Sequence, residues 1–424
     1  KEEGLQGGIK MYSGSNLIQD DKIDKLVLTD EKFTFYIPSK ETSFEGSLND
    51  SNNELSGHFN FPDGSRHTIH FKKKLDEMSS TKAFYNLKGK KYEVQDLQED
   101  VLFLFSNLKE YHPNLYKYNS KGYLYELFER LNTEIRTPMS LEDYYSLTSN
   151  LTDAVHCSHT GVRLPASYLK LVGNYGRSFP WRIYFAEERA YYVSGHQPDK
   201  SQIHEGAEII SINGRTIDEI IDQLFSFIPS EGENKSTKYN KINKYFDELF
   251  YFIDDSDEFI IKFKSGYSVK VDSEQFSDKG RLEGNDESDN REPVKFSYDE
   301  DLSLGKLKIS SFAIHDMEAY MARLDSIFQY FEINNSQNLI VDLRDNSGGH
   351  PIFAAQLLSY LTNQEFTYFK RNDEITEFEP LYNTMQPNPK NFKGNVYVFV
   401  NGGSLSTTGH LISLLKHYSH AVFI

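Results

Sequence analysis

The chain has 424 residues, with 63 acidic and 46 basic side chains and a formal net charge of −17. This charge argues against nucleic acid as the main partner, because phosphate binding needs clustered Lys and Arg side chains. The single cysteine, Cys157, excludes an internal disulfide and a cysteine-based metal cluster. The length predicts about two to four domains, with ample chain for a buried core.

No membrane or targeting segment stands out in the sequence. No apolar run approaches the ~20 residues that a membrane helix needs. The chain starts with Lys1 and shows no signal peptide. We therefore expect no integral membrane segment, and we expect the sequence to be a mature or trimmed form of a longer precursor.

The first part of the chain, residues 1–75, carries short alternating segments separated by Gly, Asn, Asp and Pro. They include KFTFYIP, TSFEGSL and HTIHFKK. Alternation with a period of two, broken by turn residues, is typical of antiparallel strands. The pattern predicts a small antiparallel β module.

From about Val94 the apolar residues recur at helical spacing, and the first such segment ends at His112-Pro113. Two further segments, YLYELFERLNTEI and SLEDYYSLTSNLTDAV, predict helices, and Ser140 is a candidate N-cap of the second. We expect a helical subdomain over 93–165, ending in the sequence HCSHT.

Residues 166–292 are expected to form a β-rich region. GAEIISINGRTIDEIIDQLFSFI predicts a strand, an Asn-Gly turn and an amphipathic helix. Such a compact module could accept an extended peptide by strand addition. The charged segment 277–293, SDKGRLEGNDESDNREP, is predicted to be a flexible surface loop.

The last part, 293–424, alternates strands and helices. KLKISSF, NLIVDL, VYVFV and AVFI predict strands, and the segments between them predict helices. This alternation indicates an α/β layer with crossover helices.

Ser406 lies where the strand VYVFV and a Gly-rich turn lead into a helix starting at about Thr407. A hydroxyl there would be exposed near the positive end of a helix dipole, and the N–H of Thr407 would point toward an oxyanion formed at Ser406. This resembles a nucleophile elbow without the literal G-x-S-x-G pattern. The alternative is a plain N-cap serine.

Two glycines, Gly348 and Gly349, follow the buried strand NLIVDL. An oxyanion hole needs backbone N–H donors that no side chain blocks, and glycines meet that requirement. The alternative is an ordinary turn before a helix starting at Pro351. Asp342 and Arg344 are predicted to form a structural ion pair beneath this turn.

The sequence HCSHT supplies a candidate base, since a serine nucleophile commonly uses a histidine held by a third group. His156 and His159 flank Cys157 and Ser158. Metal binding by the two histidines is an alternative, but no matching ligands or carboxylate cluster adjoin them. Cys157 is interpreted as a small buried residue. The remaining histidines near the end of the chain are predicted to be surface residues: His410, His417 and His420.

Taken in order, EYHPNLY, CSHTGV, GAEIISING, LIVDLRDNSGG and VFVNGGSLSTTG resemble the serine peptidase family of the C-terminal-processing proteases and the tricorn core protease. The resemblance runs from about Tyr92 to the end of the chain. It implies an α+β multidomain protein with a crotonase-like (ClpP/crotonase) α/β catalytic domain at 293–424. A PDZ-like region at 166–292 would precede it, after the helical subdomain and the N-terminal β module.

The resemblance also assigns roles. Ser406 matches the nucleophile, and Thr407 with Gly348 or Gly349 matches the oxyanion positions. His159 matches the histidine base of the tricorn-like branch, and Ser158 matches a serine that supports that base. No metal or cofactor is implied.

Two departures from the family pattern are visible. Gly409 stands where the family usually has a Glu, three residues after the nucleophile. The Glu or Lys that completes the family's site would lie beyond Ile424, so we expect an incomplete site in this sequence.

The function predicted is a serine endopeptidase acting on polypeptides, with C-terminal tails as a candidate cleavage region. The alternative is an inactive relative that binds peptides. The family match implies a location outside the cytoplasm, in the bacterial periplasm, on the cell surface or secreted.

Overall fold

The computed structural model describes residues 7–13, 16–28, 33–49, 54–72, 77–195, 203–276, 292–370 and 378–424. The chain divides into two compact units, Lys1–Ala83 and Phe84–Ile424. The predicted flexible loop at 277–293 lies outside the described residues up to residue 291.

The first unit contains an antiparallel sheet in which each strand pairs with its neighbours in sequence. Phe35, Phe44 and Phe59 lie opposite one another on adjacent strands, and their side chains are buried. Cross-strand aromatic pairs of this kind stabilise one face of a sheet. The strands are β1 Gly7–Ser13, β2 Asn16–Leu28, β3 Phe33–Ile37, β4 Thr42–Asn49, β5 Glu54–Asn60 and β6 Arg66–Lys72; a short 3₁₀ helix covers Pro38–Lys40.

The three helices between residues 94 and 153 pack around a core of their own, whereas Phe84, Tyr168 and Val172 on the flanking helices belong to the core of the second sheet. Leu97, Val101 and Phe105 recur at helical spacing on one face and are buried, and the Phe105 and Phe128 rings stack 4.7 Å apart. The Ser140 hydroxyl accepts a hydrogen bond from the N–H of Asp143, which confirms the predicted N-cap. The helices are α1 Glu77–Lys88, α2 Val94–Tyr111, α3 Lys121–Glu134, α4 Leu141–Asp153 and α5 Ala166–Tyr175.

A second antiparallel sheet follows in the order β13-β12-β10-β9-β8, with β11 paired to β10, and β7 pairs with β14. The predicted strand, Asn-Gly turn and helix are β10, the turn at Asn213-Gly214 and α6. The elements are β7 Arg177–Ser178, β8 Arg182–Ala186, β9 Arg189–Ser194, β10 Glu208–Ile212, β11 Arg215–Thr216, α6 Ile217–Ser226, α7 Lys235–Phe250, β12 Glu258–Phe263, β13 Ser268–Asp272 and β14 Glu274–Gln275.

The third sheet has the order β15-β16-β17-β20-β21. β15 and β16 are antiparallel, whereas the later pairs are parallel and joined through helices. Leu339, Val341 and Val398 are buried against the crossover helices, as expected for the inward face of such a layer. The elements are β15 Val294–Asp299, β16 Leu304–Ile309, α8 Met317–Ile333, β17 Asn338–Asp342, α9 Pro351–Ser359, β18 Phe366–Thr367, the 3₁₀ helix Glu379–Tyr382, β19 Thr384–Met385, β20 Asn395–Phe399, α10 Thr407–Tyr418 and β21 Val422–Phe423.

The expected mixed α/β multidomain architecture with several sheets is confirmed. Among the described residues, no helix combines the length and apolar character needed to cross a membrane. The parallel pairing matters for the site, because the carboxyl ends of β17 and β20 lie side by side at one edge of the sheet. Two turns start from this edge. We call residues 343–350, after β17, the glycine turn, and residues 400–406, after β20, the Ser406 turn.

Candidate active site

Ser406 connects the loop after β20 to the first residue of α10. Its backbone has φ 53° and ψ −123°, which is an unusual conformation for a residue with a side chain. Such a conformation costs about 1–3 kcal/mol and persists only where the surrounding structure imposes it. The backbone therefore makes a sharp strand-to-helix turn of the kind that presents a nucleophile, although the G-x-S-x-G sequence is absent.

The Ser406 side chain does not cap the helix that it precedes. Its Oγ lies 3.1 Å from Nε2 of His159. The other ring nitrogen of His159, Nδ1, lies 3.2 Å from Oγ of Ser158. The three predicted residues therefore form one hydrogen-bonded series, and the N-cap alternative for Ser406 does not describe its side chain.

The loop that carries His159 is held by a neighbouring segment, 229–232. The backbone N–H of Gly232 donates to the carbonyl of His156 at 2.9 Å. Nδ1 of His156 lies 3.0 Å from the Gly232 carbonyl. Both residues have positive φ, 55° for His156 and 58° for Gly232, so each backbone turns sharply where the two segments meet. His156 therefore holds the loop against segment 229–232.

Glu231, which sequence reasoning did not single out, lies at this junction. Its carboxylate accepts hydrogen bonds from Tyr118 at 2.9 Å and from Lys117 at 3.0 Å. Partial burial works against the ionised form, but these donors, with a smaller contribution from the backbone N–H of Ser158, outweigh it and lower the pKa of Glu231. A carboxylate therefore lies beside the residue that contacts the His159 ring. The turn-forming sequence PSEGEN gave no sign of this long-range contact.

The glycine turn is organised by Asn346, whose side chain is fully buried. Its Nδ2 donates to the carbonyl of Ile309 at 3.0 Å, and its Oδ1 accepts from the N–H of Gly348 at 2.9 Å. Its carbonyl accepts from the N–H of Leu405 at 3.0 Å. Asn346 therefore satisfies buried backbone groups and connects the glycine turn to the residue before Ser406.

The two glycines differ in the use of their N–H groups. The N–H of Gly348 is engaged by Asn346. No hydrogen bond within the described part of the chain engages the N–H of Gly349 or of Thr407. The hydroxyl of Thr407 donates to the carbonyl of Gly349, which links the start of α10 to the glycine turn. Two unengaged donors therefore lie on the two segments that meet beside Ser406.

Asp345 and Asn401 form a second connection between the glycine turn and the Ser406 turn, in addition to the bond between Asn346 and Leu405. Asp345 accepts at Oδ1 from the Asn401 side chain at 3.1 Å, from Asn240 at 3.2 Å and from Lys244 at 3.0 Å. Burial disfavours its ionised form, but these partners outweigh burial and lower the pKa of Asp345. Neighbouring Asp342 and Arg344 form the predicted ion pair, with two contacts of 2.8 and 2.7 Å.

His410, predicted as a surface residue, is exposed and also lies close to the site. Its ring centroid is 5.5 Å from that of Phe369. The protein around the ring displaces solvent, and this effect together with the charge of His159 lowers the pKa of His410. The sequence could have placed it here, because position i+4 lies one helical turn from Ser406. His417 packs on Tyr418, with centroids 4.6 Å apart, and His420 is exposed.

Within the described residues, no group of three or more His, Cys, Asp or Glu side chains is arranged to hold a metal ion. Cys157 is partly buried as a free thiol and packs against the core of the helical region.

Comparison with known proteins gives a family and a fold. Residues 303–424 match the family model described as peptidase family S41. Mature CPAF is similar, with 14% identity and a TM-score of 0.51 over 78% of this chain and 83% of that chain. Mature CPAF complexed with lactacystin gives 15% identity and a TM-score of 0.51, over 78% and 84% of the two chains. At these identities the structural likeness shows the fold alone.

The photosystem II D1 C-terminal processing protease is also matched, with 12% identity and a TM-score of 0.35 over 77% of this chain and 80% of that chain. No curated protein gives a sequence match. The family match covers β16 through β21, and the glycine turn and the Ser406 turn lie within it. The chain therefore contains a peptidase family S41 domain at 303–424, and this domain indicates a serine-type peptidase.

Proposed function

We propose that the chain is a serine endopeptidase with Ser406 as nucleophile, His159 as general base and Ser158 as the residue that supports the base. The observation that carries the proposal is the series Ser158–His159–Ser406, in which the base and the nucleophile are 247 residues apart. Acyl transfer needs a nucleophile, a base and an orienting group in this order, and the three side chains are hydrogen-bonded in that order.

In the first step, Oγ of Ser406 attacks the carbonyl carbon of the scissile peptide bond. The Ser406 proton passes to Nε2 of His159, which requires the neutral tautomer with Nδ1–H donating to Ser158. The carbonyl oxygen becomes an oxyanion. When the intermediate collapses, the C–N bond breaks, and His159 gives the proton to the leaving amine.

In the second step, water attacks the ester carbon of the acyl-Ser406 intermediate. His159 takes the proton of the water and returns it to Oγ of Ser406 as the C–O bond to the enzyme breaks. A carboxylic acid leaves, and the serine hydroxyl is restored. Atoms and charge balance over the two steps without a metal or an organic cofactor.

The N–H groups of Gly349 and Thr407 are assigned to the oxyanion hole. The choice of Gly349 over Gly348 follows from the engagement of the Gly348 N–H by Asn346. Backbone donors fixed before the reaction stabilise the developing negative charge without reorganising. Losing one such donor typically costs ~100- to 1000-fold in rate.

The finer architecture is part of the same proposal. Residues 293–424 are assigned as a crotonase-like catalytic domain, 166–292 as a PDZ-like region and 93–165 as a helical subdomain that brings His159 to the site. The PDZ-like region would bind an extended polypeptide, such as a C-terminal tail, along a sheet edge. Residues 1–75 are assigned as an accessory β module. We place the protein outside the cytoplasm, in the periplasm, at the cell surface or secreted.

The test compares the purified protein with its Ser406→Ala and Ser413→Ala variants. Ser413 is an exposed serine on α10 and provides a matched control. Each protein is incubated with an unfolded protein substrate, and fragments are followed by mass spectrometry. Cleavage by the wild type and by Ser413→Ala, but not by Ser406→Ala, is expected. Equal cleavage by all three would remove Ser406 as the nucleophile.

The alternative function, peptide binding without hydrolysis, rests on Gly409, which replaces the usual Glu of the family. The position is open, since a side chain there would meet no atom within 4 Å. A larger side chain would therefore fit at position 409, so crowding does not explain why the carboxylate is missing. No cleavage by the wild type, together with peptide binding that Ser406→Ala retains, would favour this alternative.

A further inference from the structure

Aromatic side chains form a continuous half-exposed surface beside the two catalytic turns. We call this surface the aromatic wall and define it as His350, Phe369, Phe378, Tyr382 and His410. Ring centroids are 5.5 Å apart for His350 and Phe378, 6.0 Å for Phe378 and Phe369, and 5.5 Å for Phe369 and His410. Tyr382 lies 6.0 Å from Phe369. These spacings fall within the range of direct aromatic contacts.

The two ends of the aromatic wall coincide with the two parts of the proposed catalytic site. At one end, His350 directly follows Gly349. At the other end, His410 lies one helical turn after Ser406, and the backbone N–H of His410 donates to the Ser406 carbonyl at 3.1 Å. The aromatic wall therefore runs from the proposed oxyanion donor to the helix that carries the nucleophile.

The aromatic wall also adjoins the proposed nucleophile. The His159 ring contacts the Oγ of Ser406, and the backbone N–H of His410 contacts the carbonyl of Ser406, so both histidines adjoin Ser406. Phe369 and Phe378 are only partly buried and pack on the core of the third sheet. Tyr368 is buried behind them, with 4% of its surface exposed. Partly exposed rings that pack on a buried side chain are suited to contact with an apolar group.

We propose that the aromatic wall binds a large apolar side chain, aromatic by preference, on the substrate residue that contributes the scissile carbonyl. This inference rests on the proposed function. The reacting carbonyl carbon must lie at Oγ of Ser406, and its oxygen must face the N–H groups of Gly349 and Thr407. The side chain one bond further along the substrate then lies between the two ends of the aromatic wall. The five described residues that define the wall include no carboxylate or ammonium group, so we expect it to select against charged side chains.

The test uses peptides that differ only in the residue before the scissile bond: Phe, Leu, Ala, Asp or Lys. The flanking sequence comes from a cleavage site found with the unfolded protein substrate. For the wild type, kcat/KM with Phe should exceed that with Ala by ~10-fold or more, since pocket contacts of this size discriminate at least to that degree. In Phe369→Ala the ratio should fall toward one. The ratio does not depend on the fraction of folded enzyme, so partial destabilisation does not affect it.

Phe296→Ala is the matched control, because Phe296 is a partly buried phenylalanine of the same core whose ring packs on Tyr330 with centroids 5.3 Å apart. It should keep the wild-type ratio. A wild-type ratio near one, a preference for Asp or Lys, or an unchanged ratio in Phe369→Ala would each overturn the inference while leaving the peptidase mechanism intact.

The same peptides are titrated onto Ser406→Ala and onto the double variant with Phe369→Ala, with fluorescence anisotropy as the readout. Tighter binding of the Phe peptide that the double variant loses supports the aromatic wall independently of turnover. If this binding preference is found and the wild type cleaves no peptide, the proposed hydrolysis fails and the subsite stands. Equal binding of the Phe and Ala peptides to both variants overturns the subsite.

Discussion

Two hydrogen bonds join Asp345 and Asn401, and they connect the glycine turn to the Ser406 turn. The Asn401 Nδ2 donates to Asp345 Oδ1 at 3.1 Å, and the Asp345 N–H donates to Asn401 Oδ1 at 2.9 Å. Each residue follows a parallel strand of the third sheet, so the pair fixes the separation of the glycine turn and the Ser406 turn. Lys244 and Asn240 on α7 contact the same carboxylate.

Replacing Asp345 with Ala should reduce both activity and stability. Since the turns carry the oxyanion donors and the nucleophile, a small misplacement should lower kcat by up to ~100-fold with little change in KM. Lys244→Met removes the ion pair but keeps the Asn401 contacts, so its kcat should fall less. Steady-state kinetics with one peptide checks the order, and an equal loss in both variants would contradict it.

The stability effect of Asp345→Asn should depend on pH. The native pKa of Asp345 is lowered, so the carboxylate stabilises the folded state above its unfolded-state pKa of about 3.9, and this contribution is lost as the pH falls through the native pKa. At pH 7 the loss should be about 1 kcal/mol, because solvent screens a side chain that is 43% exposed. Thermal midpoints of wild type and variant should differ at pH 7 and converge below about pH 4.

Replacing Gly348 with Ala should abolish activity. A Cβ atom there would lie 2.9 Å from Cβ of Ser406 and 3.0 Å from the Thr407 nitrogen, at a φ of +103°. The added methyl group must displace the nucleophile or an oxyanion donor, so we expect a loss of at least ~100-fold in kcat/KM. The thermal midpoint should also fall, since a non-glycine residue is strained at this φ.

Gly409→Ala is the matched control for this substitution. Gly409 lies within α10, and no atom is within 4 Å of a Cβ built there. Alanine should stabilise the helix by about 0.5–1 kcal/mol and leave activity in place. Loss of activity in both variants would show that any change near Ser406 is harmful and would contradict the steric argument.

Glu231 is expected to act as a positioning residue for His159. Glu231→Ala removes the acceptor of the Ser158 N–H and of Tyr118, whereas Glu231→Gln keeps a neutral acceptor. Lys117→Met removes only a surface ion pair, worth about 0–1 kcal/mol. We expect kcat to fall most in the Ala variant, less in the Gln variant and least in Lys117→Met, with KM nearly constant. A larger change in KM than in kcat would indicate a role in substrate binding instead.

Substitutions of His159 and of Ser158 should lower the activity to different degrees. His159→Ala removes the proposed base and should lower kcat/KM by ~100- to 10,000-fold. Ser158→Ala leaves the imidazole but frees Nδ1, so its activity should lie between His159→Ala and the wild type. His420→Ala, an exposed histidine after α10, should behave as the wild type. If Ser158→Ala matched the wild type, the serine would have no part in orienting the base.

Local patterns in the sequence predicted the elements that carry the site. Periodicity predicted β17, β20 and α10, and the glycines after β17 indicated a turn with exposed N–H groups. The contact between His159 and Ser406 could be expected only through the family resemblance, because no local pattern links residues so far apart. The choice between Gly348 and Gly349 was open, since it depends on where the buried Asn346 side chain directs its Oδ1.

Other features had no local signal. Glu231 lies in a turn-forming sequence, and its contact with Ser158 exists only after two distant segments pack together. The positive φ of Ser406 could not be predicted from residue type, because intrinsic preference disfavours it. Tertiary contacts impose it, through the Leu405 N–H bonded to Asn346 and the Thr407 hydroxyl bonded to Gly349.

The separation of His159 and Ser406 along the chain has a consequence for biosynthesis. A ribosome completes the helical region that holds the base long before it reaches the nucleophile. The glycine turn and the Ser406 turn also need β17 and β20 to be paired before they face each other. With the proposed roles of His159 and Ser406, a growing or unfolded chain is therefore inactive at the stage when it would itself be the nearest unfolded substrate. In this arrangement, self-digestion is delayed until the chain is folded and protected.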